Sequence, residues 1–151
     1  NLGQDLPLVI EPNGVFVRTD GAYYLSGFTP DPDPAADPDD FSMEEGAWED
    51  HVWPTIAARI PAFERLRVLR TWVGQYDYQT EDQNAVLGPH PDLPNLLTAA
   101  GFSGHGFQQA PAVGRGLAEW IVHGGYRSLD LSPLGWDRVI RRAPLRERAI
   151  I

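Results

Sequence analysis

The run Gly101-Phe102-Ser103-Gly104-His105-Gly106-Phe107-Gln108 places three glycines, a serine and a histidine between two segments of regular pattern. A strand is predicted over 95–100 and a helix over 107–123. Glycines let backbone N–H groups come close to a ligand, and a helix start carries a partial positive charge. The chemistry this allows is an anion or cofactor cradle. A purely structural turn is the other reading. The order Gly-x-x-Gly-x-Gly is not the dinucleotide fingerprint, and neither that fingerprint nor a P-loop occurs in the chain.

Other groupings are less specific. His51, His90, His105 and His123 have no metal-ligand spacing, so no metal site is expected. Ser103 and His105 are too close in sequence to be a nucleophile and its base, and nothing here has the strand–Gly-x-Ser-x-Gly–helix form of a nucleophile elbow. Trp72, Tyr76 and Tyr78 share one segment, either as sheet packing or as a wall against a planar ligand.

The elements that must carry these residues read as follows. Strands over 6–11, 15–18 and 22–28, joined at Pro12-Asn13-Gly14 and Asp20-Gly21, make an antiparallel meander. Residues 29–40 carry four prolines and many aspartates, a solvated loop without the ligand order of a calcium loop. Ser42 and Glu45 have capping-box spacing, which predicts a helix from Met43 that Pro54 ends or kinks and Pro61 stops. A long strand is predicted over 66–78, a short one over 84–87, and a turn at Gly88-Pro89-His90-Pro91. In the last long helix Ala110, Gly114, Leu117, Ala118 and Ile121 make a small-residue stripe suited to close packing, and Gly124-Gly125 ends it. The tail arginines Arg138, Arg141, Arg142, Arg146 and Arg148 read as a solvated helix or a partner-binding patch. The expected fold is α+β, a single unit over 1–151 with an antiparallel sheet and two or three helices, ending in strand, glycine-rich turn and helix.

Composition narrows the function further. The 151-residue chain carries a formal charge of −9, which disfavours nucleic acid and anionic membrane surfaces. It has no cysteine, so thiolate chemistry and cysteine-linked cofactors are excluded. All 12 basic residues are arginine, which excludes a Schiff-base lysine. This arginine-only, Ala/Gly/Pro-rich composition suggests a GC-rich bacterial genome. No run is apolar enough to span a bilayer and no leader pattern opens the chain, so a cytoplasmic location is expected.

Taken in order, Trp72-Val73-Gly74, Thr80-Glu81-Asp82, Gly88-Pro89-His90-Pro91, the glycine turn and Ala110-Pro111-Ala112-Val113-Gly114 carry a more specific signal. This order resembles the C-terminal half of FAD-dependent oxidoreductases of the sarcosine, dimethylglycine and glycine oxidase group, in the D-amino-acid oxidase superfamily. Asp77-Tyr78, Asp82-Gln83-Asn84, Gln108-Gln109-Ala110-Pro111 and Asp130-Leu131-Ser132-Pro133 are similar to the branch that contains a mitochondrial flavoprotein of complex I assembly.

The resemblance implies FAD against the segment like 101–108, within a flavin-contacting stretch of about 95–125. Gly101, Phe102, Ser103, Gly104, His105, Gly106, Phe107 and Gln108 are then cofactor-binding, with helix-start amides facing flavin N1 and C2=O. It adds Gly74 and Gln75 to the flavin side, and places Tyr76, His105 and Gln108 beside the substrate as catalytic candidates. Relatives that tether flavin use a cysteine near Gln75, so FAD here is non-covalent. The glycine-oxidase arginine falls near Tyr76, and the sarcosine-oxidase lysine falls at Gln108; this chain has neither. The family's N-terminal Rossmann half is absent from these residues, which makes it the expected partner, and the chain alone is expected to be inactive and to hold FAD weakly. The exposed helix stripe is then expected to drive homodimerisation. The implied function is oxidation of an amine or amino-acid C–N bond by hydride transfer to flavin. A non-catalytic assembly or scaffolding flavoprotein, and an acidic binding module without flavin, stay open.

Overall fold

Pro12-Asn13-Gly14 and Asp20-Gly21 do fold the chain back on itself, with Gly14 and Gly21 at positive φ. They join β1 (Val9–Ile10), β2 (Phe16–Asp20) and β3 (Tyr23–Gly27) in a three-stranded antiparallel sheet of order β1-β2-β3. The computed structural model describes residues 2–3 and 5–145. It divides into two compact units, Asn1–Gln75 and Tyr76–Ile151.

In the first unit, alternation from Val15 into β2 turns Val15 and Val17 inward. They pack with Val52, Ile56 and Phe63, all buried. The Tyr24 ring lies 4.7 Å from that of Phe63, and the Trp53 indole N–H donates to the Phe63 carbonyl at 3.1 Å. Residues 29–40 form no helix or strand, as their prolines predict. The predicted capping box does not form. Helical structure begins later, as a π-helical turn at Ala47–Val52 that follows Gly46 at φ 79° without a side-chain cap. It continues into α1 (Trp53–Arg59), where Pro54 lies in the first turn and starts the helix rather than ending it. Ile60 ends α1, and a 3₁₀ turn at Pro61–Arg65 follows. Arg59 clasps Glu11 with two bonds of 2.8 Å, tying α1 to the β1–β2 turn.

The long strand predicted over 66–78 is not a strand. These residues pair with no neighbouring strand among the described residues, and Leu69 and Trp72 are 75% and 63% exposed. Alternation supplies side chains for a sheet face, but a strand also needs a partner for its N–H and C=O groups.

In the second unit β4 (Val86–Pro89) and β5 (Leu97–Ala100) form an antiparallel pair. Gly88 and Pro89 thus lie in β4, and the reversal falls after them. The architecture is therefore α+β with two small antiparallel sheets, not one. β5 leads through the glycine turn into α2 (Gly106–His123), which Gly124 closes at φ 69°. One face of α2 packs Val113 and Gly116 on Leu87, Leu131 and Tyr126. A Cβ at Gly116 would lie 2.4 Å from Leu131 Cδ1, so any larger residue would force the Leu131 side chain aside.

Against β4 lies α3 (Trp136–Ile140). Its Arg138 is not part of a solvated patch but 7% exposed, donating to both carboxylate oxygens of buried Asp82 at 2.7 and 3.1 Å and to the Asn84 carbonyl at 2.6 Å. Arg141 is exposed and pairs with Asp137. Arg146 and Arg148 lie outside the described residues.

Candidate functional site

The glycine turn gets its shape from three left-handed residues among four. Gly101, Ser103 and Gly104 have φ of 75°, 50° and 91°. Gly101 is required: with φ positive, a Cβ there would also meet the Gln79 side chain at 3.1 Å. Ser103 is not glycine, and its left-handed backbone carries a steric cost. It is 1% exposed, and the contacts that hold it come from the segment 77–83. Its N–H donates to the Asp77 carbonyl at 3.0 Å, and its Oγ accepts the Gln79 N–H at 3.0 Å. The Asp77 carboxylate accepts the Gly101 N–H.

The turn delivers the chain to the N-terminus of α2. His105 is the N-cap, its N–H donating to the Phe102 carbonyl at 3.0 Å, and no side chain caps the helix. The first-turn amides of an α-helix have no partner within the helix. Here they stand beside a turn whose outer residues are open: Gly104 and Gln108 are exposed, and Phe107 is 94% exposed. An uncapped start on an 18-residue helix suits an electron-rich group.

The structure brings six of the candidate residues, Gly101, Phe102, Ser103, Gly104, His105 and Gly106, into the turn and helix start, with Phe107 and Gln108 in the first turn. Phe102 is half-buried under the turn and faces Gly106, where a Cβ would approach it to 3.3 Å. Tyr76 is exposed and edges against Tyr78 at 6.2 Å. Gly74 and Gln75 belong to the first unit. There the Gln75 amide donates to the carbonyls of Asp37 and Asp40, at 2.8 and 2.6 Å, and so fastens the acidic loop.

Two groups are missing from the sequence-based candidates. One is Asp77 with Gln79, which hold the turn. The other is the buried pair Asp82 and Arg138. Burial pushes the Asp82 carboxyl up, but bonds from Arg138 and from the Leu145 and Asn84 amides outweigh it, and the group ends below the usual carboxylate range. Asp77 and Asp82 stand within the resembling pattern. Their partners lie 24 and 56 residues away, beyond any local spacing rule. Among the described residues, no cluster of His, Asp and Glu could hold a metal, and no helix is long and apolar enough to cross a membrane.

Residues 2–120 match the family described as "FAD dependent oxidoreductase", and the chain belongs to that family, within the D-amino-acid oxidase superfamily. It is 44% identical over 151 residues to "FAD-dependent oxidoreductase domain-containing protein 1" of Xenopus laevis, covering 99% of this chain and 30% of that protein. It is 32% identical over 119 residues to "4-methylaminobutanoate oxidase (formaldehyde-forming)" of Paenarthrobacter nicotinovorans, covering 74% of this chain and 14% of that protein. A match of 50% identity over 59 residues, 39% of this chain and 15% of the relative, is to mouse "Peroxisomal sarcosine oxidase". The chain therefore spans about a third or less of these relatives. No solved structure matches. The bacterial origin suggested by composition is not supported, because the strong matches include animal proteins. A relative named for the peroxisome shows that family membership does not by itself imply the cytoplasm.

Proposed function

We propose that this chain supplies one wall of a non-covalent FAD site, and the adjoining substrate side, in an FAD-dependent oxidoreductase acting on an amine or amino acid. The observation that carries this is the uncapped start of α2 held behind the Gly101–Gly104 turn, in a chain of this family. Bound FAD supplies the hydride acceptor for a substrate C–H next to nitrogen. The chain's own part is electrostatic: the amides of Gly104 and of Gly106, Phe107 and Gln108 would face the flavin N1 and C2=O end and favour its reduced, more negative form without reorganising, while the His105 N–H is held by the Phe102 carbonyl. Tyr76, His105 and Gln108 are the side chains proposed to face the substrate. Two relatives carry amine-oxidase names, which supports an amine substrate class.

The remainder of the protein, including the Rossmann half expected from the resemblance, is proposed to cover the flavin's other side and the open face of α2. Without it that face would favour self-association, as a homodimer. A non-catalytic assembly or scaffolding role is the second reading. It is in keeping with relatives matched over 151 residues whose printed names give no substrate, and with a chain that has no lysine at Gln108, where the resemblance puts that of sarcosine oxidases. The test is anaerobic addition of secondary amines and amino acids to the complete protein. Bleaching of the flavin absorption by one of them is the expected result. A flavin-loaded protein that no amine reduces would leave the scaffolding role standing.

A further inference from the structure

Resting on the flavin reading above, we propose that Asp77, Gln79 and Ser103 form a clasp that positions the glycine turn toward the cofactor. The turn is intrinsically unfavourable, since Ser103 holds φ 50° with a side chain attached. Three bonds from the neighbouring segment hold it there: Gly101 N–H to the Asp77 carboxylate, Ser103 N–H to the Asp77 carbonyl, and Gln79 N–H to Ser103 Oγ. Ser103 Oγ also donates to the Gly101 carbonyl at 3.3 Å, closing the turn on itself.

The segment that holds the turn is itself held. The Gln79 side-chain carbonyl accepts the Asp82 N–H at 3.2 Å, the Gln83 N–H returns to the Gln79 carbonyl at 3.1 Å, and Asp82 is locked by Arg138. Serine at 103 supplies a buried hydroxyl that glycine lacks, and that hydroxyl is the reason a strained residue is used. The clasp therefore sets where the first amides of α2 point. These are positioning residues, acting through the turn.

The experiment uses the complete protein with added FAD. Ser103→Gly removes the hydroxyl but accepts the left-handed backbone, so the fold is retained. Asp77→Ala removes the carboxylate, and Asp77→Asn keeps an oxygen that can accept the Gly101 N–H. Each deletion is expected to weaken FAD binding roughly tenfold, the effect of one lost hydrogen bond. Each should also speed hydrogen exchange at Gly101 and Ser103 and move the bound flavin's reduction potential negative. Asp77→Asn should restore most of the binding and the potential. FAD affinity and amide exchange equal to wild type in Ser103→Gly and Asp77→Ala would overturn the clasp. Exchange that responds in a protein taking up no FAD would overturn the flavin reading instead, and with it the clasp's role toward flavin.

Discussion

The two faces of α2 are built for different neighbours. One face brings Val113 and Gly116 against Leu131, Tyr126 and Leu87, and the backbone itself makes the contact at Gly116. The other carries Phe107, Ala110, Gly114, Ala118 and Ile121, of which Phe107 and Ile121 are 94% and 72% exposed. A Cβ at Gly114 would meet nothing within 4 Å. Both faces are apolar and small, but only the first packs on a core of its own unit among the described residues. Small residues in a helix thus mark where something comes close, without saying whether the same chain supplies it.

The floor under the packed face is the place to break this contrast hardest. Asp82→Ala leaves Arg138 buried at 7% exposure with its charge unpaired. Breaking one side of a buried pair costs about 3–5 kcal/mol. The expected outcome is a large drop in the denaturant midpoint with loss of the near-UV signal of Trp136 and Tyr126. A variant that melts like wild type would show that the pair contributes little and that α2 packs without its floor.

The two glycines sharpen the contrast by giving opposite signs. Gly116→Ala gains roughly 1 kcal/mol of helix propensity, but overpacking against Leu131 costs about 1–3 kcal/mol, so a net loss is expected. Gly114→Ala has no such clash and should stabilise this chain by roughly 0.5–1 kcal/mol. In the complete protein the Gly114→Ala gain should vanish or reverse if another segment seats there. Urea unfolding of both variants, in both contexts, measures this directly. Equal signs in the isolated chain would contradict the packing described here.

Much of this could be read from local sequence. Asn13-Gly14 and Asp20-Gly21 fix the meander because each turn demands a residue that accepts positive φ, and Gly124 ends α2 for the same reason. The errors fall where a distant partner decides. Ser42 and Glu45 have capping-box spacing, yet Gly46 takes the left-handed conformation and helical structure starts after it. Residues 66–78 alternate, but no strand pairs with them among the described residues. At the site, the glycines were legible as a turn, whereas Asp77 and Gln79 were not, because their role is a set of hydrogen bonds to residues 24 positions on. Arg138 looked like one more tail arginine, and only its contact with Asp82 shows otherwise.

The smallest expected effect tests how the packed face is pinned at its far end. Glu119 lies on α2, and its carboxylate accepts the N–H groups of Arg127 and Ser128 at 2.8 and 3.0 Å and the Ser128 hydroxyl. These bonds, the Ser128 hydroxyl foremost, lower its pKa to about 2. The carboxylate thereby fastens the segment that leads from Gly124 back to Leu131. A depressed folded-state pKa contributes stability that is fully present above the unfolded value near 4.5 and is lost as pH falls toward 2. Asp82 titrates low as well, so the wild-type curve alone cannot isolate Glu119. The difference in melting temperature between wild type and Glu119→Gln can, because Asp82 is common to both. That difference should be constant from pH 7 to about 5 and shrink below it. A difference that persists unchanged to pH 3 would mean that the ionised carboxylate does not pin the loop, and that Leu131 is placed by packing against Gly116 alone.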